Sequence, residues 1–530
     1  MENSLLRSIR IGFQQERSHS HLSRWLFLRL LGLVYLAAFL SLWTQIDGLI
    51  GSRGILPVGE YLEAVSGRVG PERFWWLPTF SWIDAGDGFL HFQCGAGTIL
   101  SLLLIAGVAP VPALFLLWAI YLSLSTVCRE FLGFQWDILL LETGFLAIFL
   151  APRRWWPGSA RETAPSATVL WLCRWLLFRL MFLSGAVKLL SGDEAWRNLT
   201  ALSYHYETQP LPTWIGWYAH QMPGWIHSGC TVVMFGIELL APFLIFCGRR
   251  ARWIACGSFA LLMLLISLTG NYCFFNLLTL TLCVLLLDDA LLIRWLPASL
   301  AALVRRRLLP RIEPGAGELP GGGHGSAGLN VAPDSWERVR IAGLALLAAV
   351  YLLVSGAETA ARLFRVRDLP WPVAGLLRLI SPLRTINSYG LFAVMTTRRP
   401  EIVIEGSDDG GTWLAYEFKW KPGDLTRRPA FVAPHQPRLD WQMWFAALGD
   451  CRGNPWLVNF LGRLLEGAPE ALALLEKNPF PGRPPSRIRA VLYEYSFTDL
   501  ATRRATGEWW RRERKGLYCP ELSLRQNNRH

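Results

Sequence analysis

The side chains best suited to chemistry lie in the most apolar part of the chain. Lys188, the only lysine before Lys419, sits in the run RLMFLSGAVKLL, where desolvation would favour a neutral amine able to act as a base. Its simpler use is to extend four methylenes to the membrane interface, beside Asp193 and Glu194 in the following SGDE. Asp137, Glu142, Arg174, Arg179 and Glu238 also interrupt apolar runs. Unpaired, each would be costly in hydrocarbon. Pairing across adjacent helices is therefore expected, Glu142 matching Arg179 in depth and Arg174 snorkelling toward the cytoplasmic side. The alternative for the polar cluster Asp137, Glu142, Arg179 and Glu238 is a cavity opening outward near Lys188, roofed by the aromatic loop Trp196–Trp225. That loop offers His205 as a second candidate catalytic group. His205 with Glu207, or His220 with His227, falls short of a metal ligand set, so no metal site is assigned.

The elements that must position these residues are membrane helices. Among 530 residues, 52% are hydrophobic and 17% charged, too apolar for an ordinary soluble protein. Candidate spans are Trp25–Trp43, Leu90–Ile105, Val111–Val127, Gln135–Leu150, Val169–Leu190, Trp225–Phe246, Trp253–Leu268, Cys273–Leu287 and Val339–Val354. Each approaches the length of about 20 residues that a bilayer requires, so about nine crossings are expected. The net charge of +12 raises the question of nucleic acid, but the arginines cluster beside spans: Arg7, Arg10, Arg17 and Arg24; Arg153 and Arg154; Arg249, Arg250 and Arg252; Arg305 to Arg307. Placing those clusters in the cytoplasm puts everything beyond about Gly356 on the far side, with no nucleic-acid partner. The arginine-to-lysine ratio of 47 to 5 fits a bacterial inner membrane, with the endoplasmic reticulum as the alternative.

The chain accordingly divides into a cytoplasmic segment 1–24, a membrane domain 25–304, a Gly- and Pro-rich cytoplasmic linker 305–335, a last span with an interfacial helix 336–380, and an extracytoplasmic β-rich domain 381–530. The loop Thr44–Phe89 is expected to fold over the outer membrane face, and Leu369–Pro382 to lie in the interface. In the last domain, Glu401–Glu405 and Thr412–Trp420 around SDDGG predict a hairpin. Leu439–Leu448 and Trp456–Leu475 predict a helical insert, and Ile488–Tyr495 and Gly507–Leu517 further strands. Cys451 and Cys519 could pair in an oxidising compartment; the other eight cysteines lie in or beside spans or elsewhere in the membrane domain. The chain has no C-x-x-C, H-E-x-x-H, Walker A or G-x-S-x-G motif and no dinucleotide-binding G-x-G-x-x-G after a strand, so no cofactor is expected and the chain is not itself an evident lipase.

Two resemblances sharpen this reading. NSYGLFAVMTTRRPEIVIEGSDDGGTW and PRLDWQMWFAALG, with GFQWDILLLETGFLAIFLAP upstream, resemble the lipase maturation factor family. The resemblance implies a polytopic membrane chaperone or assembly factor whose C-terminal domain faces an exported lipase or another secreted client. On the matched positions it makes Tyr389, Arg399, Glu405, Trp413, His435, Arg438, Asp440 and Trp441 client-binding candidates. Separately, FLSGAVKLLSGDEAW is similar to the segment around the catalytic lysine of vitamin K-dependent gamma-carboxylases. That similarity implies an alternative, a membrane enzyme using Lys188 as a base on a lipid or quinone. An envelope scaffold is a further alternative; the oligomeric state is not legible.

Overall fold

The computed structural model describes residues 20–157, 164–299, 301–302, 335–366 and 368–524. Arg7, Arg10, Arg17, Arg305 to Arg307 and most of the expected linker lie outside the described residues. The membrane portion contains helices α1 (His21–Trp43), α2 (Asp87–Ala106), α3 (Pro110–Cys128), α4 (Gln135–Leu150) and α5 (Ala167–Ser191). It continues through α6 (Gly224–Phe235), α7 (Arg249–Thr269), α8 (Phe275–Cys283), α9 (Asp289–Arg294) and α10 (Ser335–Phe364).

Among the described residues, seven helices are long and apolar enough to cross a membrane. Two of the nine expected spans fall short. Helix α4 has 16 residues, and the run expected over Cys273–Leu287 is α8 followed by a 3-10 turn, Val284–Leu286. At 1.5 Å per residue a 16-residue helix covers about 24 Å, less than the hydrocarbon core of about 30 Å. Both segments are mostly buried within protein, so they need not match the lipid thickness.

Small residues let helices approach closely. A Cβ on Gly32 of α1 would lie 2.8 Å from Ile105 Cγ1 of α2, and one on Gly144 of α4 would strike the Tyr35 hydroxyl. The segment after α6 widens into a π turn, Gly236–Leu240, before a 3-10 stretch, Ala241–Phe246. Pro242 has no N–H to donate to the carbonyl four residues back, that of Glu238, and the ladder expands around this residue.

Helix α11 (Trp371–Ile380) leads to the sheet-containing C-terminal region, with Trp371 85% exposed. Strands β1 (Arg399–Ser407), β2 (Leu414–Ala415), β5 (Arg487–Phe497) and β6 (Trp510–Leu522) form one antiparallel sheet in the order β2-β1-β5-β6. Strands β3 (Glu417–Phe418) and β4 (Leu475–Lys477) make a small second sheet. The SDDGG hairpin is present but short, pairing Glu405 with Ala415 and Gly406 with Leu414. Asp409 Oδ1 forms the turn by accepting the Gly411 and Thr412 N–H groups, both at 2.8 Å. The second arm then leaves the sheet, because Asp440 takes the Trp420 and Lys421 N–H groups at 2.8 Å each.

Between β3 and β4 lie α12 (Arg438–Ala447) and α13 (Pro455–Leu465), and α14 (Leu500–Thr506) joins β5 to β6. The long loop after α1 lies against this insert. Arg463 Nε donates to the Gly54 carbonyl at 3.0 Å, and a Cβ on Gly48 would sit 2.7 Å from Leu474 Cγ. A disulfide joins Cys451, just beyond α12, to Cys519 on β6, with the Cα atoms 5.4 Å apart and a sequence separation of 68. Closing so long a loop removes unfolded-chain entropy worth about 4 kcal/mol. Cys451→Ser is therefore expected to lower thermal stability strongly, and denaturation of the purified chain with and without reductant checks this.

Candidate functional site: the charged seam between bundle and C-terminal region

Burying a charge is tolerable only where counter-charges and hydrogen bonds replace water. Four such clusters lie in or beside the seam between the helices and the C-terminal region. The first centres on Glu142 of α4. Arg179 of α5 forms an ion pair with it, Tyr351 of α10 donates its hydroxyl at 2.5 Å, and Tyr389 donates its own at 2.7 Å. Asn387 adds its backbone N–H at 2.8 Å and its Nδ2 at 3.1 Å, while Arg179 Nη1 donates to the Asn387 carbonyl at 3.1 Å. One carboxylate thus gathers two helices and the entry to the C-terminal region.

The second cluster pairs Asp137 of α4 with Arg438, the first residue of α12. Arg438 Nη2 lies 3.1 Å from Oδ1 and Nη1 lies 3.2 Å from Oδ2, while the Tyr121 hydroxyl donates to Oδ1 at 2.5 Å. Arg438 Nη1 also donates to the Phe131 carbonyl at 2.6 Å. Burial opposes the guanidinium charge, but Asp137 outweighs it and holds Arg438 above the ordinary arginine range.

In the third, Arg399 of β1 donates to the carbonyls of Glu207 at 2.6 Å and Pro210 at 2.8 Å, to that of Gln209, and to Glu401 Oε1 at 2.7 Å. Lys421 completes the pair to Glu401 at 2.9 Å. This cluster ties the sheet to the aromatic loop between α5 and α6. Asn271 makes a further tie, donating to Leu211 and Ala430 carbonyls while accepting the Val432 N–H at 2.7 Å.

The fourth holds Lys188. Its Nζ donates to both Glu238 oxygens, at 2.7 and 2.6 Å, and lies 5.3 Å from the centre of the Trp196 ring. The partner is Glu238 on the π turn rather than Asp193 or Glu194, because the widened turn brings Glu238 against Gly185 on the lysine's own helix. Lys188 is 4% exposed, so the geometry is a closed ion pair rather than a base reaching toward a substrate proton. Lys188→Met is expected to destabilise the bundle, and Lys188→Met with Glu238→Leu to recover most of the loss. Thermal denaturation in detergent checks this cycle.

Beside this pair, the His205 ring meets the Tyr272 hydroxyl at 3.2 Å, and that hydroxyl donates to Gln209 Oε1 at 2.9 Å. Desolvation first, and the Lys188 charge second, push the imidazole down to about 4, leaving it neutral at pH 7. His227 is occupied by Ser203 and the Ala219 carbonyl, at 3.1 and 3.0 Å, and His220 lies 3.8 Å from Glu207.

The client-binding candidates divide by burial. Tyr389, Arg399, Arg438, Asp440 and Trp441 are buried in the folded chain, which corrects the expectation that they face a client. Trp441 packs edge-on against Trp136 of α4 at 4.8 Å, so Tyr389, Arg399, Arg438 and Trp441 hold the C-terminal region to the membrane portion instead, while Asp440 binds within the C-terminal region itself. Glu405, Trp413 and His435 are partly accessible. Glu405 takes the Arg489 guanidinium at 2.7 Å, and that guanidinium stacks 3.9 Å from the Trp413 ring centre. Burial, then Arg438 and Lys419, lower His435 to about 4. Tyr121, Tyr351, Asn271 and Asn387 complete these clusters, and the one signal each carries in the sequence is a polar group in or beside an apolar run.

A family model for the lipase maturation factor transmembrane domain matches residues 22–294, and one for the lipase maturation factor C-terminal domain matches residues 385–520. Lipase maturation factor 2 of Homo sapiens is 39% identical, across 95% of this chain and 83% of the relative. Lipase maturation factor 1 of Bos taurus is 37% identical, across 95% of this chain and 89% of its own. No solved structure matches the chain. Matches to both family models, with relatives aligned along nearly the whole length, mean that this integral membrane protein belongs to the lipase maturation factor family.

Proposed function

We propose that the chain is a membrane-anchored factor that helps an exported lipase reach its active state, holding its sheet-containing region outside the cytoplasm. The observation that carries this reading is the charged seam. Buried pairs join α4 to Asn387, Tyr389 and Arg438, which holds the C-terminal region rigidly at one end of the bundle instead of on a free tether.

The orientation rests on charge and chain path. Asp289 accepts the N–H groups of His21, Leu22 and Ser23, so the end of the α8 segment lies beside the start of α1. The Ala109 N–H bonds to the Trp155 carbonyl at 2.8 Å, so the turn before α3 meets the segment after α4. Those contacts support counting α4 and the α8 segment as short crossings, nine in all, with Arg153, Arg154, Arg249, Arg250 and Arg252 at the cytoplasmic end. The Cys451–Cys519 bridge fits an oxidising compartment, the periplasm or the lumen of the endoplasmic reticulum.

Client contact then falls to accessible side chains of the C-terminal region: Glu405, Trp413 and His435 with the exposed Leu414 and Leu517. No nucleotide-binding motif supplies energy, so the action is passive holding or assembly. The test is removal of the chain from its own host. Active secreted lipase should fall while lipase synthesis persists, and the lipase should co-purify with the restored chain. Unchanged lipase activity, with no exported hydrolase recovered, would sink the proposal.

A further inference from the structure

At the arginine-bearing end of the bundle, an open cavity of about 720 Å³ is lined by Gly248, Arg249, Arg250, Ala251, Trp253 and Arg294. One carboxylate organises its walls. Asp288 takes Arg249 through both oxygens at 2.6 Å and the Trp253 indole N–H at 3.0 Å, and it caps α9 by accepting the Leu291 N–H at 3.0 Å. It thereby neutralises one guanidinium and fixes the helix that carries Arg294. Arg250 and Arg294 have no acidic partner among the described residues, and both are exposed. Two uncompensated positive charges therefore line one cavity. The N–H groups of the first turn of α7, a 21-residue helix, lie beside them and favour an anion further.

Depth identifies the anion. Asp289, next to Asp288, holds the start of α1, so the cavity is level with the point where the first apolar helix begins. Trp295 is 67% exposed here, and Trp253 lines the cavity itself. Exposed tryptophan at a helix end marks the headgroup layer of a bilayer. We propose that this cavity binds the phosphate headgroup of an anionic phospholipid, with Arg250 and Arg294 holding the phosphate and Trp253 lying against the apolar part of the lipid. The same donors would accept free phosphate, but the position in the headgroup layer favours the lipid.

Binding to the full chain in detergent tests this, with phosphatidylglycerol, phosphatidylcholine and inorganic phosphate as probes. Phosphatidylglycerol should bind, more weakly as salt rises, and phosphatidylcholine should bind far less. Each of Arg250→Gln and Arg294→Gln should weaken phosphatidylglycerol binding about fivefold, and the double variant about 25-fold, since each basic residue near an anionic surface contributes about a factor of five. Both side chains are exposed and have no acidic partner among the described residues, so the variants should keep the wild-type melting temperature. The exposed pair Arg452→Gln with Arg504→Gln removes equal charge elsewhere and should leave binding unchanged. Equal binding of the two lipids would overturn the proposal, as would an unaffected Arg250 and Arg294 double variant or an equal loss in the Arg452 and Arg504 control. Full displacement by inorganic phosphate would assign the cavity to a free anion and overturn it too.

Discussion

Glu142→Ala is expected to be among the most damaging single substitutions in the chain. The carboxylate accepts donors from Arg179, Tyr351, Tyr389 and twice from Asn387, so its removal strands a buried guanidinium and several polar groups together. Breaking one side of a buried ion pair typically costs about 3–5 kcal/mol. That is a large share of the roughly 5–15 kcal/mol by which a domain is stable. Thermal unfolding in detergent should show an early transition, and limited proteolysis should cut first near Thr385–Gly390, where the C-terminal region is attached. Glu142→Gln keeps an acceptor for the tyrosines but leaves Arg179 without its counter-ion, so it should recover only part of the loss. Glu142→Gln with Arg179→Met removes both charges and should be milder than Glu142→Ala. If the double variant is worse than either single change, the ion pair is not the source of the stability.

The two halves of this seam were unequally legible in the sequence. Glu142 and Arg179 are opposite charges at matching depth in consecutive apolar runs, and the cost of burying either alone points each to the other. Glu238 and Lys188 are 50 residues apart, and their contact depends on the π turn that Pro242 imposes, a local distortion that span counting does not detect. The count of about nine spans treats every apolar run as facing lipid. Helix α4 is shorter than a bilayer's hydrocarbon core and is covered by protein, including Asn387, Arg438 and Trp441 of the C-terminal region. The same long-range contact hid the role of the candidate client residues. Tyr389, Arg399, Arg438 and Trp441 stand in a polar island, and in such a context charged and aromatic residues read as surface. Their partners, Glu142, the Glu207 to Pro210 carbonyls, Asp137 and Trp136, all lie more than a hundred residues away.

Arg438 tests the seam from the other side. Arg438→Met preserves much of the side chain's length and apolar contact, so its effect isolates the guanidinium. It leaves Asp137 buried with the Tyr121 hydroxyl as its remaining side-chain donor, and the expected cost is again about 3–5 kcal/mol. Adding Asp137→Asn removes the stranded charge, and the double variant should recover most of that loss. Stability and function should then separate. The double variant restores a folded bundle but still lacks the charged link between α4 and α12, so the C-terminal region is held by fewer ties. If rigid presentation of that region is what a client requires, lipase maturation should stay impaired in the double variant even as its melting temperature returns. Maturation that instead tracks melting temperature through all three variants would make the Arg438 link a stabilising device and nothing more. Reading both quantities on the same membranes separates an anchor that merely folds the chain from one that also sets where the client is met.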